Sequence, residues 1–247
     1  MRISIITAVR NREETILDAI KCVQQQDYTD IEHIFIDGKS TDKTIKIILA
    51  NTSGNIKIVS DGDTGIYDAL NKGIAISSGD IIGILHSDDI YAKPNTLSKV
   101  VEQFRDDEID AVYGDVNFFI NRNPSKIIRK FSSAEFEIDM LQFGKLPAHT
   151  TLFLRKKVFD KYGVYDKNYK ISGDAEFMAR IFQAPGFKSR YLPEVLVLMA
   201  MGGLSSSNIR NTIKLNFELL KGLRQNGVNT NLLKIVLRYK NKINELF

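Results

Sequence analysis

The sequence predicts an α/β fold: a Rossmann-like, mostly parallel central sheet with helices on both faces, followed by C-terminal helices. Three observations carry this. Strand-like and helix-like segments alternate through the first hundred residues. The strand segments are apolar almost throughout, which suits strands covered on both faces rather than half-exposed ones. The chain then closes with two amphipathic segments whose basic residues set them apart.

"ISIITAV" (3–9) reads as the opening strand. "REETILDAIKCVQQQ" (12–26) follows as a helix, with acids in its first turn and Ile16, Ile20 and Val23 on one face. "IEHIFID" (31–37) is the second strand, and "STDKTIKIILAN" (40–51) a helix opened by capping residues. "IKIVS" (56–60) is the third strand. "GIYDALNKGIAISSG" (65–79) is a helix that Gly79 is expected to stop. "DIIGILH" (80–86) is the fourth strand, and "TLSKVVEQFRDD" (96–107) its helix. Residues 111–160 read as mixed strands and loops. A helix at 175–183 and a strand at 189–200 follow, and a loop at 201–208 leads to two helices at 208–226 and 230–246. We therefore expect a body of 1–205, with halves of 1–110 and 111–205, and a helical extension of 206–247.

Composition places the chain among ordinary globular proteins: it is 43% hydrophobic and 26% charged, with a net charge of +4. The charge is unevenly spread. Arg210, Lys214, Lys221, Arg224, Lys234, Arg238, Lys240 and Lys242 crowd the C-terminal segment, opposed only by Glu218 and Glu245. Basic residues are not interleaved with stacking aromatics outside this tail, so nucleic acid is not an expected partner. A single cysteine, Cys22, excludes an intrachain disulfide; it falls in the first helix as a small packed residue, and a reducing compartment fits. The first apolar run is too short for a signal peptide, and no stretch of about 18 apolar residues occurs. The expected setting is cytoplasmic, soluble or peripheral to a membrane.

In sheets of this kind, ligands bind beyond the carboxyl ends of the strands. That rule sorts the acids: Asp37, Asp61 and Asp88–Asp89 each follow a strand, on one edge. "HSDD" (86–89) is the sharpest signal. Two adjacent aspartates repel unless a cation lies beside them. Their oxygens suit Mg²⁺ or Mn²⁺, a diphosphate can fill the remaining positions, and the metal would neutralise a departing phosphate. By itself such a pair is more often a capped loop. Asp61 and Asp63 in "DGDTG" cluster at the same edge. Other motifs fail. Gly38-Lys39-Ser40 looks like the end of a phosphate-binding loop, but His33 stands where its first glycine belongs. "DGDTG" begins like a calcium loop, but Ile66 and Lys72 hold the places of its Gly and Glu. In isolation His149 reads as a structural histidine, and Asp174 and Glu176 read as helix-capping acids.

Four segments, in order and at normal spacing across residues 2–205, resemble family 2 glycosyltransferases of the A-type fold, of the bacterial polysaccharide-biosynthesis kind. They are "ISIITAVRNREETI", "IFIDGKSTDKT", "DGDTGIYDALNKGIAISSGDIIGILHSDD" and "PAHTTLFLRKKVFDKYGVYDKNYKISGDAEFMARIF". The resemblance implies an inverting transferase that moves a sugar from a nucleotide-diphosphate donor, with a UDP-sugar expected, to a glycan or lipid-linked saccharide. It implies that Asp37 accepts the imide proton of uracil. Thr7, the backbone near Val9, Asn11, Asp61 and Asn71 would line the nucleotide. Asp88 and Asp89 would hold a divalent metal, with Asp89 the more direct ligand. Asp174 is the implied general base and Glu176 its fallback. His149 would lie near the acceptor, and Gly202, Gly203 and Ser205 would form a mobile loop over the diphosphate. Three places depart from the family pattern: Gly38-Lys39 replaces Asp-Gly, His86 stands where Asp is frequent, and Gly173 replaces Glu. The missing acids at 86 and 173 keep open a nucleotide-sugar-binding protein without turnover. A sugar nucleotidyltransferase is a third reading, but "TAVRNREE" lacks the glycines that would hold a triphosphate.

The basic tail has two readings. Leu232, Leu233, Val236, Leu237, Tyr239, Ile243 and Leu246 can pack on the body or form a homodimer. With the lysines and arginines between them, they can also form an interfacial helix on an anionic membrane, which would suit a lipid-linked acceptor.

Overall fold

The computed structural model describes residues 1–202 and 209–242. Its first half is built from β1 (Ile3–Val9), α1 (Ile16–Gln24), β2 (Ile31–Asp37), α2 (Thr44–Asn51), β3 (Asn55–Ser60), α3 (Ile66–Ile76), β4 (Ile81–Ile84), β5 (Ile90–Tyr91) and α4 (Thr96–Gln103). The second half holds a hairpin of β6 (Ala111–Ile120) and β7 (Asn123–Phe131), then β8 (Phe153–Arg155), α5 (Lys156–Tyr162), α6 (Gly173–Phe182) and β9 (Ser189–Ala200). Helices α7 (Ile209–Gln225) and α8 (Leu232–Lys242) follow.

Among the described residues these strands form one sheet in the order β3-β2-β1-β4-β8-β6-β9-β5, with β7 on the outer side of β6. β1 to β4 are parallel; β8, β5 and β7 run against the rest. The sheet is thus mostly parallel, as the unbroken apolar strands predict.

Strand alternation sends Ile3, Ile5 and Phe35 to a core shared with α1, α2 and α4. Ile6, Ile34, Ile36 and Ile82 go to a second core beneath α3, α5 and α6. A polar knot ties the strands at the other edge. Fully buried Glu32 accepts from Ser4 Oγ at 2.6 Å and from the Ser78 amide and hydroxyl at 2.8 Å, and pairs with Lys57 Nζ at 2.7 Å. Burial alone would raise this carboxyl, but these partners hold it down to about 2.

Two local expectations change. α2 begins at Thr44 and not at residue 40, because Ser40 and Thr41 are engaged with Asp37 and Asn11, and Asp42 with the amides of Glu13 and Thr44, instead of helical partners. Gly79 does not stop α3, which ends at Ile76, where the Ser77 hydroxyl returns to Ile74 O at 2.7 Å. Gly79 is instead pressed on β1: a Cβ there would lie 2.6 Å from Ser4 Oγ. Cys22 is a packed residue. Burial pushes its thiol up to about 12, which leaves it no thiolate at neutral pH.

The inner faces of α7 and α8 pack on the body. Leu219, Leu223 and Ile235 form a third core with Leu141, Ala175 and Ala179. Among the described residues no helix is long and apolar enough to cross a membrane.

Candidate active site

The carboxyl ends of β1, β2 and β3 lie side by side: Val9 pairs with Asp37, and Asp37 with Ser60. β4 joins them through Leu85 N–H, which donates to Ile6 O at 3.1 Å. The acids that the sequence places at one edge are therefore at one edge.

Their individual duties differ from several expectations. Thr7 is fully buried, and its hydroxyl meets His33 Nε2 at 3.0 Å inside the α1-side core, so it does not line a nucleotide. Asp37 is also fully buried. Its oxygens accept from the Ser40 amide and hydroxyl and from Ser60 Oγ, so it shapes the β2–α2 loop and is not presented to a base. Both ends of the Asn71 amide clamp the backbone of Tyr165, at 2.8 and 3.0 Å, which makes Asn71 a tie between the two halves. Val9 is buried, and its carbonyl takes Gly38 N–H at 2.9 Å. Asn11 sits at φ 52°, accepts from Thr41 N–H at 2.8 Å, and lines a hollow of about 200 Å³ with Arg12, Glu13, Glu14, Thr15 and Asp42.

Asp61 is exposed. The Gly62 amide, Lys72 Nζ at 3.7 Å and Lys39 Nζ at 3.8 Å hold its carboxyl below the usual range. Asp63 stands beside Gly38, where a Cβ would overlap its Oδ2. A carboxylate from the β3–α3 loop thus occupies the space of the acid that residue 38 lacks.

The loop after β4 carries His86, Asp88 and Asp89. Asp89 is buried. Its Oδ1 accepts from Ala200 N–H at 3.0 Å, at the end of β9, while Oδ2 has no hydrogen-bond partner among the described residues. Burial, and then the charge of Asp88, push Asp89 well above the ordinary carboxylate range. An orphaned oxygen on a buried carboxyl beside a second carboxylate is a place where a divalent cation fits. Among the described residues no group of three or more His, Cys, Asp or Glu could hold a metal, so two carboxylates are what the protein offers. That suffices for Mg²⁺- or Mn²⁺-type coordination completed by phosphate oxygens and water.

Asp174 lies in the first turn of α6, across from this loop. It is electrostatically coupled to His86 and His149, whose rings are 6.1 Å apart. Burial keeps both imidazoles neutral, with His149 lowered to about 4, and His149 Nε2 pairs with Tyr165 Oη at 2.8 Å. Tyr67 Oη shares its one proton between Ile171 O at 2.7 Å and Asp174 Oδ1 at 3.1 Å. Its ring also accounts for Gly173: a Cβ there would lie 2.7 Å from Cε2 of Tyr67, so a glutamate at 173 cannot coexist with this ring. Glu176 faces the other way. It pairs with Arg180 at 2.9 Å and accepts from Asn226 Nδ2 at 3.1 Å beneath α7.

Gly202, at φ 113°, follows Met201, whose N–H donates to Phe119 O at 2.9 Å. Gly203 and Ser205 lie outside the described residues. Sequence reasoning missed Tyr67 and Tyr165 as site neighbours. Tyr67 left a signal: a tyrosine on the apolar face of α3 needs a partner for its hydroxyl.

Comparison with known proteins is consistent with this arrangement. A model of the glycosyl transferase family 2 matches residues 4–163. A PGL/p-HBAD biosynthesis glycosyltransferase of Mycobacterium bovis is 30% identical over 212 residues, covering 83% of this chain and 79% of that protein. An uncharacterized glycosyltransferase of Mycobacterium tuberculosis is 31% identical over 181 residues, covering 72% and 68%. Among solved structures, S. aureus TarS 1-349 in complex with UDP-GlcNAc superposes with a TM-score of 0.72 at 16% identity, covering 98% of this chain and 72% of that one. A mannosyltransferase of Pyrobaculum calidifontis in complex with GDP-Man and Mn²⁺ gives 0.63 at 15%, covering 100% and 81%. In another TarS structure the chain spans 43% of the length. At such identities the structural matches establish the fold.

Proposed function

The chain belongs to glycosyl transferase family 2, and from that premise we propose that it moves a sugar, with inversion, from a nucleoside-diphosphate donor to a hydroxyl of a saccharide or lipid-linked saccharide. A UDP-sugar is the first donor to test, since UDP-GlcNAc is bound by TarS. The reading includes a cytoplasmic setting and a role in cell-surface polysaccharide synthesis.

One observation supports it above the others: the carboxylate of Asp174 at the start of α6 shares a polar cluster with His86, His149 and the Asp88 loop. Asp174 takes the proton of the acceptor hydroxyl as that oxygen bonds to the anomeric carbon. The bond from that carbon to the diphosphate oxygen breaks on the opposite face, and the electron pair leaves with the nucleoside diphosphate. Tyr67 holds Asp174 in place. His86 and His149, neutral, offer hydrogen bonds without competing for that proton. Asp88 and Asp89 would hold a divalent cation, which, when bound, neutralises charge developing on the diphosphate.

The test is Asp174→Asn, read by transfer of labelled sugar and by donor binding. Loss of a positioned base predicts a rate lower by about 10³-fold with donor affinity retained. Full activity in the variant overturns the assignment of the base. Donor binding by the wild type with no transfer to any acceptor favours the alternative of a binding protein without turnover.

A further inference from the structure

The outer face of the C-terminal helices is unlike the rest of the surface. On α7, Arg210, Ile213, Lys214, Phe217, Lys221 and Arg224 fall at positions i, i+3, i+4, i+7, i+11 and i+14, so they share one stripe of the helix. All six are exposed, Ile213 by 52% and Phe217 by 57%. On α8, Leu233, Val236 and Leu237 follow the same spacing; Leu233 is 71% exposed. An isolated apolar side chain on a surface is ordinary. Here the apolar residues of α7 are interleaved with cations on its outward side, while Lys234 and Arg238 of α8 turn inward to Gln142 and Asn216 and leave an apolar outward stripe; the inward sides already have their own core.

Acids are the second half of the observation. Glu218 is the single carboxylate in the sequence of α7 and α8, and it is turned inward. It accepts the amides of Lys170 at 3.1 Å, Ile171 at 2.8 Å and Ser172 at 3.0 Å, the turn that leads into α6 and Asp174. Lys214 lies 3.9 Å from it, at the limit of an ion pair. The outward charge on the described part of these helices is therefore all positive.

We propose that this face is a docking surface for an anionic lipid bilayer. Lys and Arg meet acidic headgroups, while Ile213, Phe217, Leu233 and Val236 enter the boundary between headgroup and acyl chain. Charge decides the occupant: a second copy of this chain would bring the same cations against themselves, whereas an acidic lipid surface complements them. The inference does not depend on the transfer chemistry, but it gives a lipid-borne acceptor a route to the site, because α7 grips the turn that carries Asp174.

The test is sedimentation of the full chain with vesicles of phosphatidylcholine alone and of phosphatidylcholine doped with phosphatidylglycerol. We expect binding to the acidic vesicles only, weakening as salt rises. Lys214→Gln and Lys221→Gln should each weaken it about fivefold, the equivalent of one cationic contact. Phe217→Glu with Leu233→Glu should abolish it while thermal unfolding stays as in the wild type, since both side chains are exposed. Equal partitioning on neutral and acidic vesicles, absence of binding to both, or wild-type binding by the Phe217→Glu, Leu233→Glu protein would each overturn the proposal. A dimer that this pair of changes dissociates, with no vesicle binding, would assign the face to self-association instead.

Discussion

Replacing His33 with glutamine should change how the protein responds to acid. His33 lies in the middle of β2, fully buried, against Thr7 Oγ1 and the ring of Phe35. Burial lowers its pKa in the fold to about 3, against about 6.5 in the unfolded chain. Between those values the unfolded chain binds a proton that the folded one refuses. Stability from this group is therefore intact above about pH 6.5 and falls with pH, by about 1.4 kcal/mol per unit, until pH 3. The total reaches about 5 kcal/mol, a large share of a typical folding free energy.

Other groups act in the same window. His86 and His149 are also lowered and act in the same direction. Asp89 is raised by burial and the charge of Asp88, and acts in the opposite direction. These contributions are common to wild type and variant and cancel in the difference. Urea unfolding at several values between pH 4 and 6 should show a stability slope shallower in His33→Gln by about 1.4 kcal/mol per pH unit, whatever the offset at pH 7. Equal slopes would refute the claim that this imidazole is held neutral by burial.

Three further outcomes bear on the site. Tyr67→Phe should lower turnover about tenfold, through loss of one hydrogen bond beside Asp174, with donor affinity unchanged; unchanged turnover would reduce Tyr67 to a packing residue. In a thermal-shift screen of UDP-, GDP- and dTDP-sugars with Mn²⁺, Mg²⁺ or EDTA, one nucleotide should stabilise the protein. That shift should vanish with EDTA and in Asp89→Ala. Persistence of the shift in Asp89→Ala would remove the metal from the β4 loop. Glu176→Ala should cost about 2 kcal/mol of stability, because it removes the charge partner of half-buried Arg180 and one acceptor of Asn226, yet leave turnover per folded molecule intact; a catalytic loss there would favour Glu176 as a base.

Much of this protein was determined by its sequence. β1, β2 and β9 lie at the limits that their apolar runs predict, because a strand covered on both faces has a composition that loops do not share. The parallel order followed from the alternation of strand and helix, and with it the edge on which Asp37, Asp61 and Asp88 fall. That Asp174 and Glu176 face different neighbours was partly written there, since residues two apart on a helix point to different sides. Direction and contact were left to the tertiary structure. A carboxylate or an amide has the same sequence symbol whether it meets a ligand or a backbone. Asp37 and Asn71 meet the backbone, and only the neighbours Ser40, Ser60 and Tyr165 reveal it. The departures at 38 and 173 likewise became intelligible only when residues distant in the chain came together: Asp63 beside Gly38 and Tyr67 against Gly173. Hydrophobic period and residue type act locally and survive in the sequence. Which side chain fills the space left by another depends on packing between segments 25 residues apart for Asp63 and Gly38 and 106 apart for Tyr67 and Gly173, and no local pattern encodes that.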